Sequence, residues 1–181
     1  MAHWSEKKTV YEGSILTVKS GRVALDNGES LAFDLVEHNG GVAVVPLLDN
    51  TVLLVRQSRP AVGQELLEIP AGKREADDDD HEARARAELE EETGYRAGRL
   101  VRAADFFVSP GYCTERIIIF LGFDLEHVGA RPESTEEIDL VRLPLAEARR
   151  MLAEGRFHDS KTIIGLRELL AYCEREGLSY D

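Results

Sequence analysis

Residues 87–94 read AELEEETG and place four carboxylates in eight positions. The stretch 80–93 contains neither proline nor glycine and is built largely from Ala, Glu, Arg and Leu, which predicts a helix stopped by Gly94. The acidic run 77–80 suits the positive pole of that helix, and Asp79 with Glu82 has capping-box spacing. At about 100° per residue, Glu88, Glu91 and Glu92 share an arc about 100° wide, while Glu90 points the opposite way. Glu88 stands three and four residues from the other two, and each like-charge pair costs about 0.2–0.5 kcal/mol close to the negative helix pole. Such a face predicts a cation.

The residues upstream agree with that expectation. The apolar run LLEIPAGKRE turns sharply at Pro70, Ala71 and Gly72, where glycine permits close backbone approach and the Ala71 carbonyl can face the same cation. A donor set made only of oxygen suits a hard divalent ion such as magnesium, which is commonly shared with substrate phosphates.

Gly72, an acidic loop, then AELEEETG and Tyr95 resemble the Nudix box, G-x5-E-x7-R-E-U-x-E-E-x-G-U, matched in its helical half at Glu88, Leu89, Glu91, Glu92, Gly94 and Tyr95. One extra loop residue leaves Asp78 or Asp79 at the loop acidic position. Ala87 occupies the place of the box arginine. Arg84, one turn earlier on the carboxylate face, is a candidate stand-in, whereas Arg86 lies about 160° from Glu88 on the wheel. The segments EHNGGVAVVPL, VLLVRQSRPAVG, LEIPAGK and FFVSPGYCTE, with Pro110 sixteen residues beyond Gly94, are similar to those of bacterial ADP-ribose pyrophosphatases.

The resemblance implies magnesium-dependent hydrolysis of ADP-ribose to AMP and ribose 5-phosphate, with manganese as a substitute ion. It implies Ala71, Glu88, Glu91 and Glu92 as metal ligands, with Glu91 and Glu92 also in the catalytic group. In related enzymes the general base comes from a loop glutamate. Here that loop reads RPESTEEID, and Glu136 is favoured over Glu133 and Glu137. Arg59 in QSRP is expected on a phosphate, and Glu68, Ser109 and Glu115 are expected to line the substrate pocket, although Glu68 reads equally as an outward strand residue. Ala32 stands where relatives often carry an arginine near the adenine, followed by Phe33, which can stack on a base. Other nucleoside diphosphate sugars are therefore the nearest alternative substrates. A non-catalytic module sensing an ADP-ribose-like ligand is the alternative that Ala87 raises. The resemblance also implies a homodimer in which the N-terminal sheet completes the partner's site.

The elements that must position these residues are legible in outline. Apolar stretches at 15–18, 22–25 and 31–36, with DNG at 26–28 as a hairpin signal, predict a small N-terminal antiparallel sheet. Core strands are expected at 41–47, 51–56, 66–69, 103–108, 117–124 and 138–143, and further helices at 145–153 and 161–174. The expected fold is α/β, a Nudix-type α/β/α sandwich around a mixed sheet, with residues 1–38 as an N-terminal β segment contributing to dimerisation and 39–181 as the hydrolase domain, its box at about 72–95. Trp4 falls in a segment expected to be mobile.

Composition bounds the function. A chain of 181 residues with 43% hydrophobic content supports a substantial core. Twenty-two basic against 34 acidic residues give −12, which opposes a nucleic-acid partner. No apolar run follows MAHWSEKKTV and RIIIFLGF is too short for a bilayer, so a cytoplasmic protein without membrane contact is expected. Cys113 and Cys173 lack metal spacing and are expected as free thiols, and the five histidines form no ligand cluster.

Overall fold

The computed structural model describes residues 3–74, 80–129 and 138–178. The chain divides into two compact units, one formed by residues 1–41 with 106–117, the other by 42–105 with 118–181. The class is the expected α/β, with a mixed multi-stranded sheet, a small antiparallel sheet and, among the described residues, three helices. No helix among them is long and apolar enough to cross a membrane.

The first unit carries three antiparallel strands, β1 (His3–Glu12), β2 (Thr17–Ala24) and β3 (Ser30–Glu37), in that order. The DNG turn joins β2 to β3: Gly28 takes φ 85°, and the Leu25 amide donates to the Glu29 carbonyl at 2.8 Å. Two corrections arise here. The stretches 15–18 and 22–25, expected as separate strands, contribute to a single β2. Trp4, expected in a mobile segment, lies in β1 with its ring 5.6 Å from Phe33, edge to face. Polar residues and near-complete exposure hide β1 from a periodicity reading.

In the second unit β4 (Gly41–Leu48) and β5 (Thr51–Arg59) form a hairpin whose loop residues Asp49 and Asn50 take φ 44° and 58°, the left-handed pair that a two-residue turn requires. The hairpin pairs at Leu47–Val52 and Leu48–Thr51. Beyond that, β6 (Gln64–Glu68) takes the edge of β5 from Val55 to Arg59, and β7 (Ala71–Lys73) pairs with β4. The wedge between the parting strands is where the chain turns at Pro70, whose carbonyl accepts from the Val44 amide at 2.9 Å. The sheet continues through β8 (Tyr95–Phe107), β9 (Arg116–His127) and β10 (Ile138–Pro144) in the order β10-β5-β4-β9-β8.

Strand alternation shows both faces of this sheet covered. Val42, Val44, Ile118 and Phe120 pack with Ala85 and Leu89 of helix α1 (His81–Thr93). Their neighbours Val45 and Ile119 point the other way, to helix α3 (Ser160–Glu176), where a Cβ on Gly165 would stand 2.7 Å from Val45 Cγ2. Glycine is what lets α3 lie this close. Helix α2 (Leu145–Ala153) follows β10, its first amide donating to Asn50 at 2.8 Å. Helix α1 is capped by Asp80, which accepts from the Ala83 amide at 2.9 Å, so the cap lies one residue past the expected Asp79. Gly94 closes the helix at φ 75°.

Candidate functional site

The carboxylates of α1 divide by depth. Glu88 and Glu92 are buried at 5% and 8% exposure, on the arc of α1 that also buries Ala85 and Leu89. Glu91 is half-buried and lines a cleft of about 260 Å³ with Ala87, Glu90, Arg96, Val128 and Gly129. Strand β7 is the floor for the two buried groups. A Cβ on residue 72 would collide with the Glu88 carboxylate, so glycine at that position is what admits the side chain. The Ala71 amide donates to Glu92 Oε2 at 3.1 Å. Arg84 pairs with Glu88 Oε1, and its Nε donates to the Lys73 carbonyl at 3.3 Å, clasping β7 to α1.

This donor set fits a hard divalent ion by chemistry: two buried carboxylates on consecutive turns, a third nearby and a backbone strand against them, all offering oxygen. The Arg84 guanidinium shows that the Glu88 carboxylate already attracts a cation. Among the described residues no three His, Cys, Asp or Glu side chains converge as a ligand cage, because Glu88 is turned to Arg84, Glu92 to the Ala71 amide and Glu91 to the cleft. A bound ion would draw on Glu88 and Glu92 first.

Arg59 and Glu68, read from sequence as independent substrate contacts, form a pair of which only the carboxylate is buried. Arg59 donates through Nε to Glu68 Oε1 and through NH2 to Oε2, both at 2.7 Å. Glu68 is 1% exposed, which excludes the outward reading of that strand position. Burial pushes the Glu68 carboxyl up, but the hydrogen bonds from Arg59 and the charge of Lys161 outweigh it and hold the group below the ordinary carboxylate value. The bond to Glu68 raises Arg59 against its own desolvation, and the charges of Asp159 and Glu92 add to it. Arg59 therefore lies within electrostatic reach of Glu92 on α1.

Lys161 was not anticipated from sequence. It donates to Glu68 Oε2 and pairs with Asp159 Oδ1 at 3.0 Å. Asp159 also caps α3, accepting from the Thr162 amide at 2.9 Å, and Thr162 Oγ1 accepts from the Ile69 amide at 2.9 Å. A signal did exist: Lys161 sits in the first turn of α3, where the helix dipole opposes a cation, so carboxylate partners were to be expected.

Ser109 and Glu115 belong to the first unit. The Ser109 carbonyl accepts from the Tyr112 and Cys113 amides at 3.1 and 2.9 Å, and Glu115 Oε1 stands 3.8 Å from His38 Nδ1. Glu133, Glu136 and Glu137, with Asp78 and Asp79, lie outside the described residues. Arg86 donates to the Ala97 carbonyl and pairs with Glu82 at 2.8 Å.

A family profile described as NUDIX domain matches residues 37–164, most of the chain. The chain belongs to the Nudix family. It is 34% identical over 172 residues to a methanol dehydrogenase activator of Bacillus methanolicus, covering 91% of this chain and 92% of that one. To the ADP-ribose pyrophosphatase of Bacillus subtilis (strain 168) it is 31% identical over 166 residues, covering 90% and 89%. A GDP-mannose pyrophosphatase of Salmonella choleraesuis (strain SC-B67) is 36% identical over 157 residues, 79% of this chain and 81% of that one. The crystal structure of an ADP compounds hydrolase superposes with a TM-score of 0.85 at 22% identity over 98% of this chain and 97% of the other, a likeness of fold. The protein is a Nudix hydrolase similar to ADP-ribose pyrophosphatases.

Proposed function

We propose that this Nudix hydrolase cleaves the diphosphate linkage of a nucleoside diphosphate sugar, with ADP-ribose, yielding AMP and ribose 5-phosphate, as the first candidate. The observation that carries the reading is the pair of buried carboxylates, Glu88 and Glu92, set against Gly72 and Ala71, with Glu92 within electrostatic reach of Arg59. Burying two acids on consecutive helix turns costs stability that packing does not return, so a bound cation is the chemistry that accounts for them.

Magnesium, or manganese in its place, held by Glu88 and Glu92 with Glu91 and the Ala71 carbonyl, would neutralise phosphate charge and lower the pKa of a bound water. Gly72 lets the Glu88 carboxylate lie directly on β7, and Arg84 fixes its direction. Arg59 keeps one edge on Glu68 and is 40% exposed along its side chain, leaving its other donors for a phosphate oxygen. Glu136 is assigned the general base, with Glu133 and Glu137 as alternatives. That assignment, like the substrate contacts of Ser109 and Glu115, rests on the resemblance.

GDP-mannose is the competing substrate, given relatives named as GDP-mannose pyrophosphatases. A ligand-sensing role without turnover is the second reading, favoured by Ala87, which opens on the cleft beside Glu91 and supplies no guanidinium there. A cytoplasmic location goes with either reading. A panel of ADP-ribose, GDP-mannose and related diphosphates, assayed for phosphate products with magnesium and with excess chelator, tests the proposal. Turnover is expected only with the ion, and Glu92→Gln is expected to lower kcat by about a hundredfold or more while KM changes little. Full activity in chelator defeats the metal reading. Ligand binding without turnover establishes the sensor.

A further inference from the structure

We propose that Lys161 is a positioning residue for diphosphate recognition: by sharing Glu68, it leaves the positive charge of Arg59 available to the substrate. The inference rests on the reading that Arg59 meets the diphosphate. Glu68 is buried, and both its oxygens are bonded to the inner edge of the Arg59 guanidinium, so a bare Arg59–Glu68 pair would be neutral as a phosphate sees it. Lys161, its side chain 13% exposed, adds a second cation on Glu68 Oε2. The three charges Arg59, Glu68 and Lys161 then sum to +1, with the exposed guanidinium edge as the part that reaches solvent. Asp159 pairs with Lys161 at 3.0 Å and brings the sum of the four charges to zero, so that without Lys161 the two carboxylates would leave the cluster at −1 around Arg59. Lys161 therefore acts through Glu68 on Arg59 and needs no contact with substrate.

A purely structural staple and an electrostatic one differ in sign. Lys161→Met removes the ion pairs with Glu68 and Asp159, and Asp159→Asn removes the second of these, but the first variant loses a positive charge and the second a negative one. Asparagine is a good helix cap, so Asp159→Asn keeps the start of α3. Calorimetric titration of inorganic diphosphate, without divalent ion, reads the anion site apart from turnover. Lys161→Met is expected to weaken binding about tenfold, Lys161→Arg to stay within about twofold of wild type, and Asp159→Asn to bind as tightly as wild type or more so. With the sugar substrates the Lys161→Met loss is expected in KM rather than kcat. Should the wild type turn over no sugar diphosphate while this charge order persists, the proposed activity falls and the positioning role stands. Equal binding by Lys161→Met and wild type, or equal weakening by Asp159→Asn and Lys161→Met, overturns the inference. So does a wild type that binds no diphosphate.

Discussion

Arg84 reaches two groups at once, the Glu88 carboxylate and the Lys73 carbonyl, and so supplies a cation on the carboxylate face of a helix whose residue 87 is alanine. Two effects compete in such a pair. A guanidinium on Glu88 competes with a metal ion for the carboxylate, yet it also holds the side chain in one rotamer over Gly72 and screens it from Glu91 and Glu92. Preorganisation is expected to win, because Glu88 is buried and its alternative rotamers would swing a charge toward the apolar packing of Ala85 and Leu89. Arg84→Ala should then weaken the magnesium response and lower kcat by about tenfold each, with Arg84→Lys intermediate because an ammonium lacks the fork. Ala87→Arg in the Arg84→Ala background should recover part of the loss, since the cleft beside residue 87 has room for a side chain. Arg86 is unsuitable as a neutral comparison because it bonds the Ala97 carbonyl, whereas Arg167 is exposed on α3 and serves. Tighter magnesium binding by Arg84→Ala would show that the arginine is a competitor of the ion.

At the scale of elements, the site is held by the seam between α3 and the β6–β7 turn. Thr162 is fully buried, accepts from the Ile69 amide and donates to Asp159. Thr162→Val keeps the shape and removes the acceptor, leaving a buried amide unsatisfied at a cost of about 1–3 kcal/mol. Thermal unfolding should show that loss, with a rise in KM as Glu68 and Lys161 lose their register. An unchanged melting temperature would mean that Ile69 finds another partner. Helix α1 was legible because its composition, its acidic start and Gly94 all agree, and α2 matches its expected 145–153. Strand β8 begins at Tyr95, well before the expected 103, because it ends the sheet path and carries exposed arginines where a buried strand would show an apolar run. Strand β7 is too short, at 3 residues, for any period to reveal it. Glu68 and Arg59 were each visible, but their closure with Lys161 was not, since the lysine is 93 positions from Glu68 along the chain.

Across the whole molecule, apolar exposure is uneven. Of the nine large apolar side chains exposed among the described residues, seven (Val10, Tyr11, Ile15, Leu31, Phe107, Val108 and Tyr112) belong to the first unit. A concentration of this kind on one small unit supports the homodimer that the family resemblance implies. Sedimentation at micromolar concentration is expected to give twice the 20.2 kDa chain mass, and Tyr11→Asp to shift the population toward monomer. A monomeric wild type would leave that surface without its proposed partner.

The molecule's charge sets a second property of the whole, its response to acid. At neutral pH the net charge of −12 repels itself, and lowering the pH toward the pI of about 4.9 relieves that repulsion and favours the compact state. Glu68 acts in the opposite sense. A carboxyl held below its ordinary 4.5 binds fewer protons folded than unfolded, so its contribution is complete above 4.5 and is lost as pH falls from there through the depressed folded value. Glu37, bonded by Lys19 and Lys7, shifts in the same direction but lies open to solvent and contributes little. Stability should therefore hold or rise between neutrality and about pH 5, then fall below 4.5 as Glu68 protonates and leaves Arg59 and Lys161 as partly buried neighbours of like charge. Glu68→Gln should be less stable at neutrality, by about 1–3 kcal/mol, because it removes the counter-charge of Arg59 and one of the two carboxylates that Lys161 pairs with. Its decline below pH 4.5 should be shallower than that of the wild type, since the group whose protonation drives the loss is gone. Melting temperatures of both proteins from pH 3 to 8 decide it: parallel curves below 4.5 would mean that some other carboxylate carries the acid response.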